Sequence, residues 1–278
     1  MKRIVLTGAA GKLGSHLREQ LLKMAEELVS SDIAPNLDGL RERERYVRAD
    51  LRQYDEIHAL LEGADMVVHF GAIGDEAPFD QILGSNIVGA YNVWEAASRN
   101  KVRRIVFASS IHVVGMHAKN DCIGTDAPHR PDSYYGLAKC FAEDLASLYW
   151  DKRGVEAVCL RILSCTDVAN ARAVGSWLSY PDLVHLVERA VDTPVTGFSI
   201  IYGVSNNDRA PVDNSRARFL GYRPKDNGER YAKEIFARTP PLDPLDLGHM
   251  AQGGAFATVP LGSSGIAALG VGGEGKKN

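Results

Sequence analysis

Long apolar runs are missing from this 278-residue chain, which opens Met1-Lys2-Arg3-Ile4-Val5-Leu6 and then turns into glycines, too short a stretch for a secretory signal or a membrane span. The expected location is the cytoplasm. Charge of one sign is missing too. Lys plus Arg number 32 against 35 Asp plus Glu, interspersed along the chain, so there is no electrostatic footprint for nucleic acid or an anionic membrane surface. A small soluble partner is expected. Cysteine is scarce: Cys122, Cys140, Cys159 and Cys165 lie 18, 19 and 6 residues apart, which fits neither a zinc pattern nor a disulfide framework. Buried free thiols are expected. His112 and His117 have no third ligand at metal spacing, so no metal site is expected. What is present, 45% hydrophobic and 24% charged residues, is enough to bury a core without staples.

β-branched apolar runs alternate with segments of helical period. A strand over 3–7, a helix over about 11–24 and a strand ending at Asp32 make one βαβ unit. The cadence repeats with a strand near 46–48, a helix around 53–62 and a strand over 66–70. A long helix containing Phe79, Ile82, Ile87 and Trp94 then leads to a buried strand at 105–108. A helix after Pro131, capped by Asp132 or Ser133, leads to a strand over 155–162. Such a series predicts an α/β fold, a doubly wound parallel sheet of Rossmann type. Beyond about residue 165 the text is less regular. We expect a dinucleotide-binding domain over 1–168 and a small substrate lobe over 169–261, with helices near 181–191 and 228–238 and one strand, about 199–202, returning to the sheet. From 262 to 278 the chain is Gly/Ala/Ser-rich, and a mobile tail is expected.

Thr7-Gly8-Ala9-Ala10-Gly11-Lys12-Leu13-Gly14 sits between the first strand and the first helix, where backbone must approach a pyrophosphate and offer it a helix N-terminus. Asp32 ends the second strand eighteen residues past Gly14, where a carboxylate accepts from adenosine ribose hydroxyls and repels a 2′-phosphate. That argues for NAD over NADP, although Lys12 places a cation in the glycine loop. Asp50 either meets the adenine edge or is a surface turn residue. Leu13, Leu51, Gly71, Ala72 and Ile162 are further expected cofactor neighbours.

Tyr135 and Lys139 are spaced i, i+4, which puts phenol and ammonium on one helix face, offset from the apolar stripe. Ser109-Ser110, 25 residues before Tyr135, stands at the C-terminal end of the fifth strand beside the cofactor crevice. With the glycine loop, these elements resemble the extended short-chain dehydrogenase/reductase superfamily over the first 165 or so residues. The resemblance makes Ser110, Tyr135 and Lys139 catalytic. It also likens Asn86 to the asparagine that supports a water beside the lysine.

A closer resemblance runs through Phe107-Ala108-Ser109-Ser110, Tyr135-Gly136-Leu137-Ala138-Lys139, Arg161-Ile162-Leu163-Ser164-Cys165, Asp213-Asn214 and Phe219-Leu220-Gly221 to uronate dehydrogenases. These oxidise C1 of glucuronate or galacturonate with NAD to an aldarolactone. By that resemblance Ser110, His112, Ser164 and Arg172 line the sugar pocket. Where the family usually has Gln, Ser and Asn, this chain has Lys12, Gly74 and Ile111, all near the sugar site. Two polar groups lost and one cation gained suggest a changed hydroxyl pattern or a different anion.

The implied chemistry has Tyr135 as base for the C1 hydroxyl, with its pKa drawn down from the ordinary value of about 10 by Lys139 and the nicotinamide charge. Ser110 bonds the same oxygen, Lys139 also holds the nicotinamide ribose, and Asn86 completes a proton path. Arg172 either clamps a remote anion or is a solvated loop arginine; His112 either donates to a sugar hydroxyl or is structural. The alternatives are a sulfosugar dehydrogenase, for which Lys12 would be an added cation, a nucleotide-sugar epimerase or dehydratase, for which the lobe is short, and a non-enzymatic dinucleotide sensor. A homo-oligomer is expected. Asp32 generates the first prediction: kcat/KM should favour NAD over NADP, and Asp32→Ala should relax that preference, so equal or reversed efficiency in the unaltered chain refutes the ribose assignment.

Overall fold

The computed structural model describes residues 1–268. Seven parallel strands form one sheet in the order β3-β2-β1-β4-β5-β6-β7. They are β1 (Arg3–Thr7), β2 (Glu27–Asp32), β3 (Glu44–Arg48), β4 (Met66–His69), β5 (Arg104–Ser110), β6 (Glu156–Ile162) and β7 (Phe198–Gly203). Strand parity sorts the core into two layers. Ile4 and Leu6 face α1 (Lys12–Met24) and α7 (Tyr180–Asp192). Val5, between them, faces the opposite layer of α2 (Tyr54–Leu60), α4 (Gly89–Arg99) and α5 (Tyr134–Arg153). The central strands are covered on both faces, which is why they read as continuous apolar runs. The chain changes direction between β1 and β4, and a crevice opens there at the C-terminal strand ends.

Two glycines make that crevice possible. Gly8 has φ +74°, and a Cβ on it would stand 2.5 Å from the Phe70 carbonyl carbon, so β1 and β4 approach there only without a side chain. A Cβ on Gly14 would lie 2.0 Å from the Gly8 oxygen, so α1 seats on the loop only with glycine at that position. Beneath the loop, the Thr7 hydroxyl meets His69 Nδ1 at 2.7 Å and accepts from the Gly71 amide at 3.2 Å. Burial drives His69 down to about 3, so it is neutral at physiological pH.

Several elements differ from the expectation. The helix expected in the second lobe, now α7, is the crossover that returns the chain to the sheet. Leu183, Leu186, Val187, Ala190 and Val191 share a core with Leu17 and Leu21 of α1. The lobe is smaller, centred on α6 (Ala171–Ser176) and α8 (Ala232–Arg238), where Val174, Ala232 and Ile235 pack together. The expected mobile tail is held at its start: the Gly262 amide donates to Glu76 at 2.8 Å and the Gly265 amide to Asp75 at 3.0 Å. Residues 269–278 of that expectation lie outside the described residues. Of the four free cysteines, Cys140 and Cys159 are buried as expected, whereas Cys122 is exposed. Among the described residues no helix is long and apolar enough to cross a membrane.

A buried ionic network ties α5 to the end of β5. Glu143, 1% exposed, accepts from Ser109 Oγ at 2.6 Å, from Arg161 at 2.8 and 3.0 Å, and meets His129 Nε2 at 3.2 Å. Burial alone would raise the Glu143 pKa, but the His129 and Arg161 hydrogen bonds hold it below the usual carboxylate range. Its contribution is therefore present above the unfolded-state pKa and is lost as pH falls through the lower folded-state value. Removing the carboxylate strands a buried guanidinium. Glu143→Ala should destabilise the fold by about 3–5 kcal/mol in urea denaturation, and adding Arg161→Met should recover part of the loss.

Candidate active site

Parity decides which serine of the pair faces the crevice. Ser109 turns into the core toward Glu143, and Ser110, on the other face of β5, caps the 3₁₀ turn Ile111–Val114 by accepting from the His112 amide at 3.3 Å. Tyr135 and Lys139 are brought to that point by α5, whose first turn is capped by Ser133 through the Gly136 amide at 3.0 Å. The Lys139 ammonium donates to the Ala108 carbonyl at 2.7 Å and lies 5.5 Å from the Tyr135 ring centre. Burial pushes Tyr135 up to about 12 against the opposing pull of the Ser110 hydroxyl, and burial pushes Lys139 down to about 7. Both shifts favour the neutral forms.

The crevice beside this trio has a volume of about 340 Å³ and is lined by Gly8, Gly11, Asp32, Asp50, Leu51, Gly71 and Ala72 among others. Its residues fit a dinucleotide. No side chain caps the N-terminus of α1, so its first-turn amides remain available to a pyrophosphate. Asp32 accepts from the Ala10 amide at 3.0 Å and the Ala34 amide at 3.2 Å, which leaves carboxylate lone pairs for ribose hydroxyls. Leu13 is half-buried on α1. Ile162, at the end of β6, is buried in the core beside Gly203. The Asp50 carboxylate is taken up by Arg52, with hydrogen bonds of 2.6 to 3.0 Å, while Asp50 still lines the crevice.

Asn86 lies in a π-helical turn, Leu83–Val88, between α3 (Phe79–Ile82) and α4. Its amide accepts from the Ile73 amide and donates to the Ile73 carbonyl, both at 2.9 Å, so in this structure it pins the loop after β4. Gly74 in that loop faces open space, with nothing within 4 Å of a built Cβ. Ile111 departs from its expected place at the sugar: it is 2% exposed and packs with Val113, Val114 and Leu163. Lys12 reaches across the crevice to donate to Thr166 Oγ1 at 3.0 Å.

On the far wall Arg172 donates to Ser164 Oγ at 2.8 Å and to the Gln252 carbonyl at 2.7 Å. It has no carboxylate within ion-pairing distance among the described residues, and burial lowers its pKa. His112 Nδ1 meets Asp132 Oδ2 at 2.8 Å, and its ring stacks on Phe256 with centroids 3.9 Å apart. Residues 252–256 thus run from Arg172 to His112, and the structure brings Ser110, His112, Ser164 and Arg172 into one wall. Sequence reasoning missed Phe256, Glu76, Gln252 and Lys119. The last is a half-buried cation whose pKa is lowered by burial and by the Arg172 charge. None of these stands in a local motif; each arrives through contacts between distant segments.

Residues 4–165 match the model of the NAD dependent epimerase/dehydratase family. The chain is 45% identical over 256 residues to a uronate dehydrogenase of Pseudomonas putida, covering 92% of this chain and 95% of that one. It is 35% identical to an L-arabinose 1-dehydrogenase (NAD(P)(+)) of Haloferax volcanii, over 82% of this chain and 98% of that one. The fold superposes on the crystal structure of uronate dehydrogenase from Agrobacterium tumefaciens with a TM-score of 0.89, at 45% identity and covering 94% and 98% of the two chains. A mutant of that enzyme complexed with NAD gives the same TM-score at 44% identity. A family match across more than half the chain, joined to these relatives over nearly its full length, means that the chain belongs to the NAD dependent epimerase/dehydratase family.

Proposed function

We propose that this protein is an NAD-dependent dehydrogenase that oxidises the C1 hemiacetal of a free uronate to the lactone. The observation that carries the reading is the grouping of His112, Ser164 and Arg172 on the side of Ser110 and Tyr135, with an arginine that forms no ion pair among the described residues. An unpaired, half-buried guanidinium with donors to spare is suited to a substrate carboxylate at the end of the sugar remote from C1. NAD, when bound, supplies the hydride acceptor and a positive charge beside the phenol.

Tyr135 takes the C1 hydroxyl proton and Ser110 holds the same oxygen. For a phenol that burial has raised to about 12, ionisation needs positive charge nearby. Lys139 is that charge within the chain, and its bond to the Ala108 carbonyl keeps it under the ring. His112, oriented by Asp132, is placed to donate to a sugar hydroxyl through its other nitrogen. Lys12 favours a sulfosugar as the second reading, because its bond to Thr166 brings a cation to the segment that carries Ser164.

The test is a screen of glucuronate, galacturonate, sulfoquinovose and neutral aldoses with NAD, followed by absorbance of the reduced cofactor. Tyr135→Phe should abolish turnover while leaving NAD affinity nearly unchanged, and retained turnover removes Tyr135 from the base role. Because the base acts as phenolate, activity should rise with pH, and Lys139→Met should move that rise to higher pH. Arg172→Ala should cost about 1.5–3 kcal/mol with the acid substrate, or roughly one to two orders of magnitude in kcat/KM, without affecting NAD binding. Neutral aldoses turning over as well as uronates would sink the assignment.

A further inference from the structure

The start of the C-terminal segment and the loop after β4 meet beside the site through one buried and one half-buried carboxylate that the proposed chemistry does not use. Glu76 is 3% exposed, and its two oxygens are occupied by backbone amides: Tyr135 N at 2.8 Å and Gly262 N at 2.8 Å. A buried carboxylate is costly unless it is hydrogen-bonded, so the fold commits both of these amides to it. Its charge at the N-terminus of the twenty-residue α5 is also favourable to the helix dipole. Asp75, next to it, accepts from Gly265 N at 3.0 Å, Ile266 N at 3.1 Å and the Ser264 hydroxyl.

From that anchor the contacts run around the reacting end of the crevice. A Cβ on Gly265 would stand 2.3 Å from the Phe256 ring, so the segment lies directly on Phe256. Phe256 stacks on His112, and His112 is bonded to Asp132. Asp132 accepts from the Ser133 hydroxyl at 2.7 Å, and Ser133 caps the helix that begins with Tyr134 and Tyr135. The circuit Tyr135, Glu76, Gly262 to Gly265, Phe256, His112, Asp132 and Ser133 closes on itself.

We propose that Glu76 is a positioning residue and that residues 262–266 are a strap whose seating, through Glu76 and Phe256, sets the placement of Tyr135 and His112 for turnover. The proposal rests on the dehydrogenase reading for its kinetic arm only. Glu76→Gln keeps the shape but turns one acceptor into a donor aimed at an amide N–H. Asp75→Ala combined with Gly265→Ala releases the strap while altering neither Tyr135 nor its hydrogen-bond partner.

Both variants are compared with the unaltered full chain by hydrogen exchange, with and without NAD, and by steady-state kinetics. The expected result is faster exchange at the Tyr135 amide in both, with kcat lower by about tenfold or more and the Kd for NAD within about twofold of the original. A part that merely stabilises the fold would not separate kcat from NAD affinity in this way. Unchanged Tyr135 exchange and unchanged kcat in the Asp75/Gly265 double variant overturn the strap, even if Glu76→Gln fails to fold. If the unaltered chain oxidises no uronate, the functional reading fails by itself, and the exchange arm still decides the strap.

Discussion

Burial of a tyrosine and a lysine side by side, with no carboxylate hydrogen-bonded to either side chain among the described residues, is the constraint around which the site is arranged. Low dielectric raises the phenol to about 12 and lowers the ammonium to about 7, so both groups drift toward neutrality for the same reason. The Lys139 bond to the Ala108 carbonyl holds its nitrogen 5.5 Å from the Tyr135 ring centre. The nearest acid on the same helix, Glu143, is instead occupied by Arg161, Ser109 and His129. Through Ser109 and through the effect of its charge on Lys139, Glu143 links the ionic network of the core to the neighbourhood of the site.

The opposite wall also holds a cation on neutral acceptors. Arg172 is held by a hydroxyl and a backbone carbonyl, neutral acceptors that fix its fork without discharging it. Asp132 supplies the countercharge felt there, but its oxygens are committed to His112 and Ser133. Lys119, half-buried nearby, has its pKa lowered by burial and by the Arg172 charge, and neither cation forms an ion pair among the described residues.

The segment from Gln252 to Ile266 binds these parts together. It holds Arg172 at one end, covers His112 with Phe256 in the middle, and reaches the β4 loop at Asp75 and Glu76. That loop is in turn pinned by Asn86. In a long-range arrangement of this kind each added contact fixes a side chain already held from another side.

The sequence by itself determined the sheet, the cofactor loop and the tyrosine-lysine pair, because each rests on local periodicity. Strand parity and helical spacing are properties of neighbouring residues; they set Gly8 and Asp32 at strand ends, Gly14 at the start of the first helix and Tyr135 and Lys139 on one helix face, while the role of that pair came from the family resemblance. Tertiary structure decided what depends on distant partners. It chose Ser110 over Ser109 for the crevice by turning the latter toward Glu143, and put Ile111 into the core. It moved the helix at Tyr180–Asp192 from the lobe onto the sheet, since an amphipathic helix shows its apolar face but not which surface will receive it. It also seated Gly262 to Ile266 on two carboxylates nearly two hundred residues away, contacts of |i−j| 186 to 191 that a Gly/Ala/Ser-rich stretch gives no sign of. Backbone amides carry that docking, and every residue but proline has one, so only the folded chain could say which of them Glu76 and Asp75 would hold.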